Sequence, residues 1–189
     1  MAQTLRSAVE LLDYLAMDDA SALRHEYVAG DVHAMTGGTM RHNRIALNIA
    51  RLLMDRFDAA TSCQVFINDM KLHVRAADSV YYPDVFVYCG GAIAGGEKVV
   101  ADALLVVEVS SESTAGIDQR EKRVACQKLP GLRAYWIVSQ SEQRVAVHGR
   151  NAAGQWQVAA HSVGDEIALD GLSAVPVPLA SIYAGTDIG

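Results

Sequence analysis

Apolar positions recur in this chain first at the spacing of a helix, then at that of strands, then at each in turn. In the segment SAVELLDYLAMD, Val9, Leu12 and Leu15 fall at helical spacing, which predicts a short N-terminal helix. HEYVAGDVHAM has two short apolar runs around Gly30 and Asp31 and reads as a hairpin. Over residues 40–57, Ile45, Ile49, Leu52 and Leu53 form one apolar stripe, with Arg44, Asn48, Arg51 and Asp55 on the opposite side. This is the strongest helical pattern in the chain.

Strand-like segments follow. CQVFI and MKLHV, joined at Asn68-Asp69, then VYYPDVFVYC and ALLVVEV, are all rich in β-branched and aromatic residues. Gly90, Gly91, Gly95 and Gly96 make the connection between the last two a loop or a loose hairpin. Helical periodicity returns over 117–129 and is stopped by Pro130-Gly131. AYWIVS reads as a buried strand, RVAVHG and QWQVAAH as an antiparallel pair, and 163–172 as a further strand before a short terminal helix. The order predicts an α+β fold with a mixed sheet flanked by helices.

With 189 residues and 51% hydrophobic content, the chain fits one domain over 1–189 with a single core. No apolar stretch reaches the roughly 18 residues that span a bilayer, and no basic flank precedes an apolar core at the N-terminus, so a cytoplasmic protein without a membrane partner is expected. Cys63, Cys89 and Cys126 are odd in number and widely spaced, which fits neither a disulfide framework nor a zinc knuckle; free, partly buried thiols are expected. A formal net charge of -6 argues against a strongly basic nucleic-acid binder. It leaves room for a nuclease, whose metal-binding carboxylates count towards that sum.

Candidate chemistry lies in two strands. Asp84 stands near the start of PDVFVYC and Glu108 at the end of ALLVVEV. If the strands pair antiparallel, as consecutive strands commonly do, the two carboxylates converge. Period two also puts Asp84 on one face with Phe86 and Tyr88, and Glu108 with Leu104 and Val106. Two carboxylates side by side repel and lose water, and a hard divalent cation offsets both costs. The alternative is a turn residue after Pro83 and a solvated strand end. Lys122 lies four residues after Asp118 on the later helix, either as a surface ion pair with it or pointing at the carboxylates.

Taken together, HEYVAGDV, MRHNRIALNIARLL, VFINDMKLHV, YYPDVFV, LLVVEVSSEST and DQREKRVACQKLPGLRAYWIV resemble the Uma-type restriction endonuclease family, a branch of the PD-(D/E)xK nuclease superfamily. The resemblance implies a restriction endonuclease-like core of helix, three-strand meander, helix and strand, here with an added N-terminal hairpin and a β-rich C-terminal part. It implies Asp84 and Glu108 as ligands of Mg²⁺ or Mn²⁺, Glu26 as a further active-site carboxylate, and hydrolysis of nucleic acid, read as DNA, by metal-activated water. Glu26 could instead form a salt bridge with Arg24 or a neighbour. Ser110 stands where the wider superfamily has a Lys, and a hydroxyl cannot replace an ammonium. In the Uma-type branch that Lys sits on the following helix, which maps to Lys122. His42 matches a family histidine and, with Arg44, Arg51 and Asp118, is expected to contact substrate; as a helix-start residue it has a plainer alternative. Cys126 and Ala134 depart from the Tyr and Glu often found there. A homodimer is a further expectation, since cutting two strands is simplest with two related centres. The rival function is a catalytically silent module that uses the same fold to bind nucleic acid or protein.

Overall fold

The computed structural model describes residues 8–57, 62–110, 117–169 and 172–188, without the side chains of residues 117 and 118. The helices are α1 (Leu11–Ala20), α2 (Met40–Met54), α3 (Ile117–Cys126) and α4 (Leu179–Ile182). The strands are β1 (His25–Val28), β2 (Asp31–Ala34), β3 (Gln64–Ile67), β4 (Lys71–Val74), β5 (Ser79–Tyr81), β6 (Val85–Tyr88), β7 (Val99–Val100), β8 (Leu105–Ser110), β9 (Ala134–Ser139), β10 (Val145–Arg150), β11 (Trp156–His161), β12 (Glu166–Leu169) and β13 (Ser173–Pro178). This is the expected mixed α+β architecture.

Three sheets form, in the orders β11-β10-β9-β8-β6-β3, β2-β1-β5-β4-β7 and β12-β13. In the six-stranded sheet, β3, β6 and β8 make an antiparallel meander and β9 joins β8 in parallel after α3. The meander is therefore not built from strands consecutive in the chain. β4 and β5 leave for the second sheet between β3 and β6, and β3 does not pair with β4.

Period two divides the core. Val85, Val87, Leu105, Val107 and Val109 face the buried side of α2, where Ile45, Ile49, Leu52 and Leu53 lie, and α4 closes that layer. Phe86 and Val106 face the other way, onto Ala125, Cys126 and Leu129 of the α3 region and onto Leu72 and Tyr81 of the second sheet. α2 has the predicted stripe and starts at Thr39, whose hydroxyl accepts the His42 backbone N–H at 3.1 Å.

The structure corrects several expectations. α1 turns on Tyr14 and Asp18, both buried, while Leu12 is exposed. Val9 and Leu15 pack against the core as expected, but Tyr14 takes the place of Leu12: its ring packs against Tyr27, with centroids 5.2 Å apart, and its hydroxyl donates to the His25 carbonyl. The hairpin turns at Ala29-Gly30, one residue earlier than expected, and both have positive φ. VYYPDVFVYC is two strands in different sheets. Pro83 has no N–H for a ladder, and the chain changes sheet at Tyr82-Pro83-Asp84. β13, with Pro176 and Pro178, was not legible as a strand and pairs with β12. Two of the three expected free thiols are joined: the register Gln64↔Tyr88, extended by one residue, sets Cys63 beside Cys89, and the pair forms a disulfide with Cα atoms 4.1 Å apart. Cys126 is free and buried.

Candidate active site

β6 and β8 pair antiparallel with Val85↔Val107 and Phe86↔Val106, so one further step brings Asp84 opposite Glu108. The Val109 N–H donates to Asp84 Oδ2 at 2.8 Å and ties the two strand ends together. Both carboxylates share the Phe86/Val106 face, which α3 covers. Lys122 on α3 places Nζ 2.9 Å from Glu108 Oε1 and 2.7 Å from Glu26 Oε1 on β1. Glu26 Oε1 also accepts the Tyr82 backbone N–H at 3.1 Å. His42, in the first turn of α2, holds Nε2 3.2 Å from Asp84 Oδ2. Gly38 lets the ring lie there, since a Cβ at that position would stand 2.8 Å from His42 Nδ1. Five elements, β1, α2, β6, β8 and α3, thus meet around one cleft of about 500 Å³.

The cluster is short of positive charge. Asp84, Glu108 and Glu26 carry three carboxylates, and their side chains are 13%, 13% and 16% exposed. Against them stand Lys122 and, when protonated, His42. Burial works against charge on Lys122, yet Glu108 and Glu26 together hold its pKa well above the ordinary value. Burial pushes the Glu108 carboxyl up to about 8; Asp84 and Glu26 add to the rise and Lys122 opposes it. These shifts describe one set of charges: a lysine kept cationic, and a carboxyl whose ionised form has too little positive charge nearby. The Asp84 contact raises His42, against a downward pull from burial. Glu108 Oε1 is fully buried, and the contact it has among the described residues is the Lys122 ammonium at 2.9 Å.

Those two facts bear on a metal ion. Among the described residues no group of three or more His, Cys, Asp or Glu side chains is arranged to enclose one. The Asp84 and Glu108 pair fits a different shell, that of a hard cation held by one or two carboxylates and completed by water and phosphate oxygens. A mostly buried carboxylate pair with too little positive charge nearby is the donor set such a cation takes.

Of the residues expected in the site, Asp84, Glu108, Lys122, Glu26 and His42 come together. Arg24 is not the partner of Glu26; it pairs with Asp69 at 2.9 Å. Arg44 and Arg51 lie on the exposed side of α2 outside the cluster, with Arg51 3.7 Å from Asp55. The Asp118 side chain lies outside the described residues. Ser110 Oγ contacts the Val138 carbonyl at 3.4 Å and takes no part. Sequence reasoning missed the backbone N–H groups of Tyr82 and Val109, Gly38, and the Tyr81 ring, whose centroid is 5.3 Å from Lys122 Nζ. Only the tyrosine pair preceding Pro83-Asp84 offered a signal.

Comparison with known proteins covers most of the chain. The model of the Uma2 family, described as "Putative restriction endonuclease", matches residues 11–179. An uncharacterised protein of Synechocystis sp. is 27% identical over 157 residues, 83% of this chain and 82% of the relative. A second from the same organism is 27% identical over 146 residues, 76% of this chain and 82% of the relative. The crystal structure of a putative nuclease belonging to DUF820 from Anabaena variabilis superimposes with a TM-score of 0.70 at 14% identity, over 86% of this chain and 91% of that one. At that identity the structural likeness concerns the fold. No helix among the described residues is long and apolar enough to cross a membrane.

Proposed function

The chain belongs to the Uma2 family of putative restriction endonucleases, and on that premise we propose that it is a metal-dependent endonuclease that hydrolyses DNA phosphodiesters at the Asp84-Glu108-Lys122 cluster. The observation that carries this reading is the surplus of negative charge: Glu26 and Glu108 share Lys122, Asp84 beside them meets His42 and the Val109 N–H, and all three carboxylates are mostly buried. A purely structural ion cluster has no use for such a surplus.

Asp84 and Glu108 would hold Mg²⁺ or Mn²⁺, which supplies positive charge to phosphate oxygens and lowers the pKa of bound water. The Val109 N–H and His42 fix the orientation of Asp84. Lys122 presents its ammonium beside the carboxylates, where it can stabilise charge developing on the phosphate or align the attacking water. Glu26 holds Lys122 from the far side, and its own oxygen is anchored by the Tyr82 N–H. On this reading the cytoplasm is the proposed location, and a homodimer is the assembly that cutting both strands of a duplex would call for.

A plasmid-nicking time course with Mg²⁺ or Mn²⁺, paired with calorimetric titration of Mn²⁺, tests this. Asp84→Ala and Glu108→Ala should lose both cleavage and Mn²⁺ binding. Lys122→Ala should keep Mn²⁺ affinity while turnover falls about 10² to 10³-fold. Equal Mn²⁺ affinity in wild type and both carboxylate variants would sink the site assignment. Metal binding without cleavage would leave a silent nucleic-acid-binding module.

A further inference from the structure

The exposed side of α2 has an organisation that the candidate active site does not use. Met40, Arg44, Leu47, Arg51 and Met54 are spaced alternately four and three residues apart, so they form one continuous stripe opposite the buried Ile45/Ile49/Leu52/Leu53 side. Apolar and cationic residues alternate along it. Met40, Leu47 and Met54 are 91%, 50% and 49% exposed. Arg44 has no partner among the described residues, and the exposed Arg51–Asp55 contact at 3.7 Å is a weak surface pair. By contrast, Arg41 beside the stripe is neutralised by Asp187 through two hydrogen bonds of 2.6 and 2.7 Å.

The stripe leads to the cleft. Met40, Arg44 and Leu47 wall a groove of about 1040 Å³, and Thr39, Asn43 and Gln140 line both this groove and the active-site cleft. Whatever lies along α2 is therefore continuous with whatever reaches Asp84.

Resting on the nuclease reading above, we propose that this stripe is a track for an unpaired nucleic-acid strand, which it guides into the cleft: Arg44 and Arg51 contact phosphates, and Met40, Leu47 and Met54 contact base faces. Seven residues of helix separate the two arginines by about 10 Å along the axis, enough for phosphates on either side of an intervening base. A duplex hides its base faces and would press these apolar side chains against hydrated phosphates. An unpaired strand offers apolar faces and charges by turns. Two cations also suit a short stretch of strand better than a duplex footprint, which needs many phosphate contacts. A second copy of the chain is disfavoured, because two such stripes would bring arginines together.

The test is fluorescence anisotropy in EDTA at low salt, with a labelled strand of about 12 nucleotides and the same sequence annealed as a duplex. Wild type should bind the single strand about 10-fold tighter than the duplex. Met40→Ser/Leu47→Ser should lose about 10-fold on the single strand, little on the duplex, and keep the wild-type melting profile. Arg44→Gln/Arg51→Gln should weaken both, and the slope of log affinity against log salt for the single strand should fall by about 1.4. Equal or tighter duplex binding, or an unchanged serine variant, overturns the track. So does self-association in sedimentation that the serine variant abolishes, which would assign the stripe to a second copy. Nicking that depends on Asp84 but shows no strand preference overturns this inference alone, whereas absence of any nucleic-acid binding overturns the nuclease reading with it.

Discussion

Two ionic clusters lie side by side in this molecule and are built on opposite terms. One joins Asp18 and Asp19 of α1 to Lys71 and Lys98, and every carboxylate oxygen has a donor. Asp18 Oδ1 accepts the His25 N–H at 2.8 Å, Asp18 Oδ2 meets Lys71 at 3.0 Å and the Tyr82 hydroxyl, and Asp19 takes Lys71 at 2.7 Å and Lys98 at 2.9 Å. The other sets Glu26 and Glu108 on Lys122 and Asp84 on His42, and buried Glu108 Oε1 meets the Lys122 ammonium at 2.9 Å without a neutral donor beside it among the described residues. Tyr82 links the two clusters, its hydroxyl serving the first and its backbone N–H the second. β1 links them as well, since alternation sends His25 to one and Glu26 to the other. Burial acts to raise the pKa of Asp18, but bonds from Tyr82, Lys71 and the His25 N–H overcome it and hold that carboxyl low. Burial acts the same way on Glu108 and wins, taking it to about 8. A satisfied cluster fixes structure; an unsatisfied one keeps capacity for a ligand.

The largest expected effect is on the balanced cluster. Lys71→Met leaves the buried Asp18 carboxylate without its cation and should cost about 3–5 kcal/mol in urea denaturation. Lys122→Met should cost less in the same assay, because Glu108 sits near 8 and takes up a proton where the lysine charge is lost. A larger loss at Lys122 than at Lys71 would reverse the comparison. Asp18 adds a pH signature: its folded pKa is depressed, so its contribution is present above the unfolded value of 3.8 and lost as pH falls through the folded one. The stability gap between wild type and Asp18→Asn should therefore close below about pH 4.

Glu108→Gln should act in the opposite sense when no metal is bound. A folded pKa near 8 against 4.5 unfolded means that the carboxyl favours the fold below 4.5 and that this contribution is lost as pH rises through 8. Between about pH 5 and 9 the Gln variant should gain roughly 1–3 kcal/mol on wild type in EDTA. A pH-independent difference would show that Glu108 is adequately compensated and that the contrast between the clusters is false.

The smallest effect concerns how the unsatisfied cluster is held. Gly38→Ala places a methyl 2.8 Å from His42 Nδ1 and should displace the ring from Asp84. Stability should change by less than about 1 kcal/mol, while Mn²⁺ affinity falls about 10-fold through loss of an orienting contact. Unchanged affinity would remove His42 from the site's support.

Local periodicity in the sequence determined most of the helices and strands, though not β13 or the break at Pro83, which side of α2 is buried, and that Asp84 and Glu108 share a face and converge once β6 and β8 pair. Each of these depends on neighbours a few residues away or on one antiparallel register. Tertiary structure alone decided that Pro83 marks a change of sheet, that Cys63 faces Cys89, and that Lys122 is bound by Glu26 and Glu108. It alone decided that Asp18 and Lys71 are buried together, and that Arg44 and Arg51 stand outside the cluster. Such contacts join residues from separate sheets and helices, some nearly a hundred positions apart. A repeating pattern of apolar residues specifies which face is buried, whereas the identity of the group that meets a carboxylate there depends on how two sheets pack, and charge alone leaves several partners equally suitable.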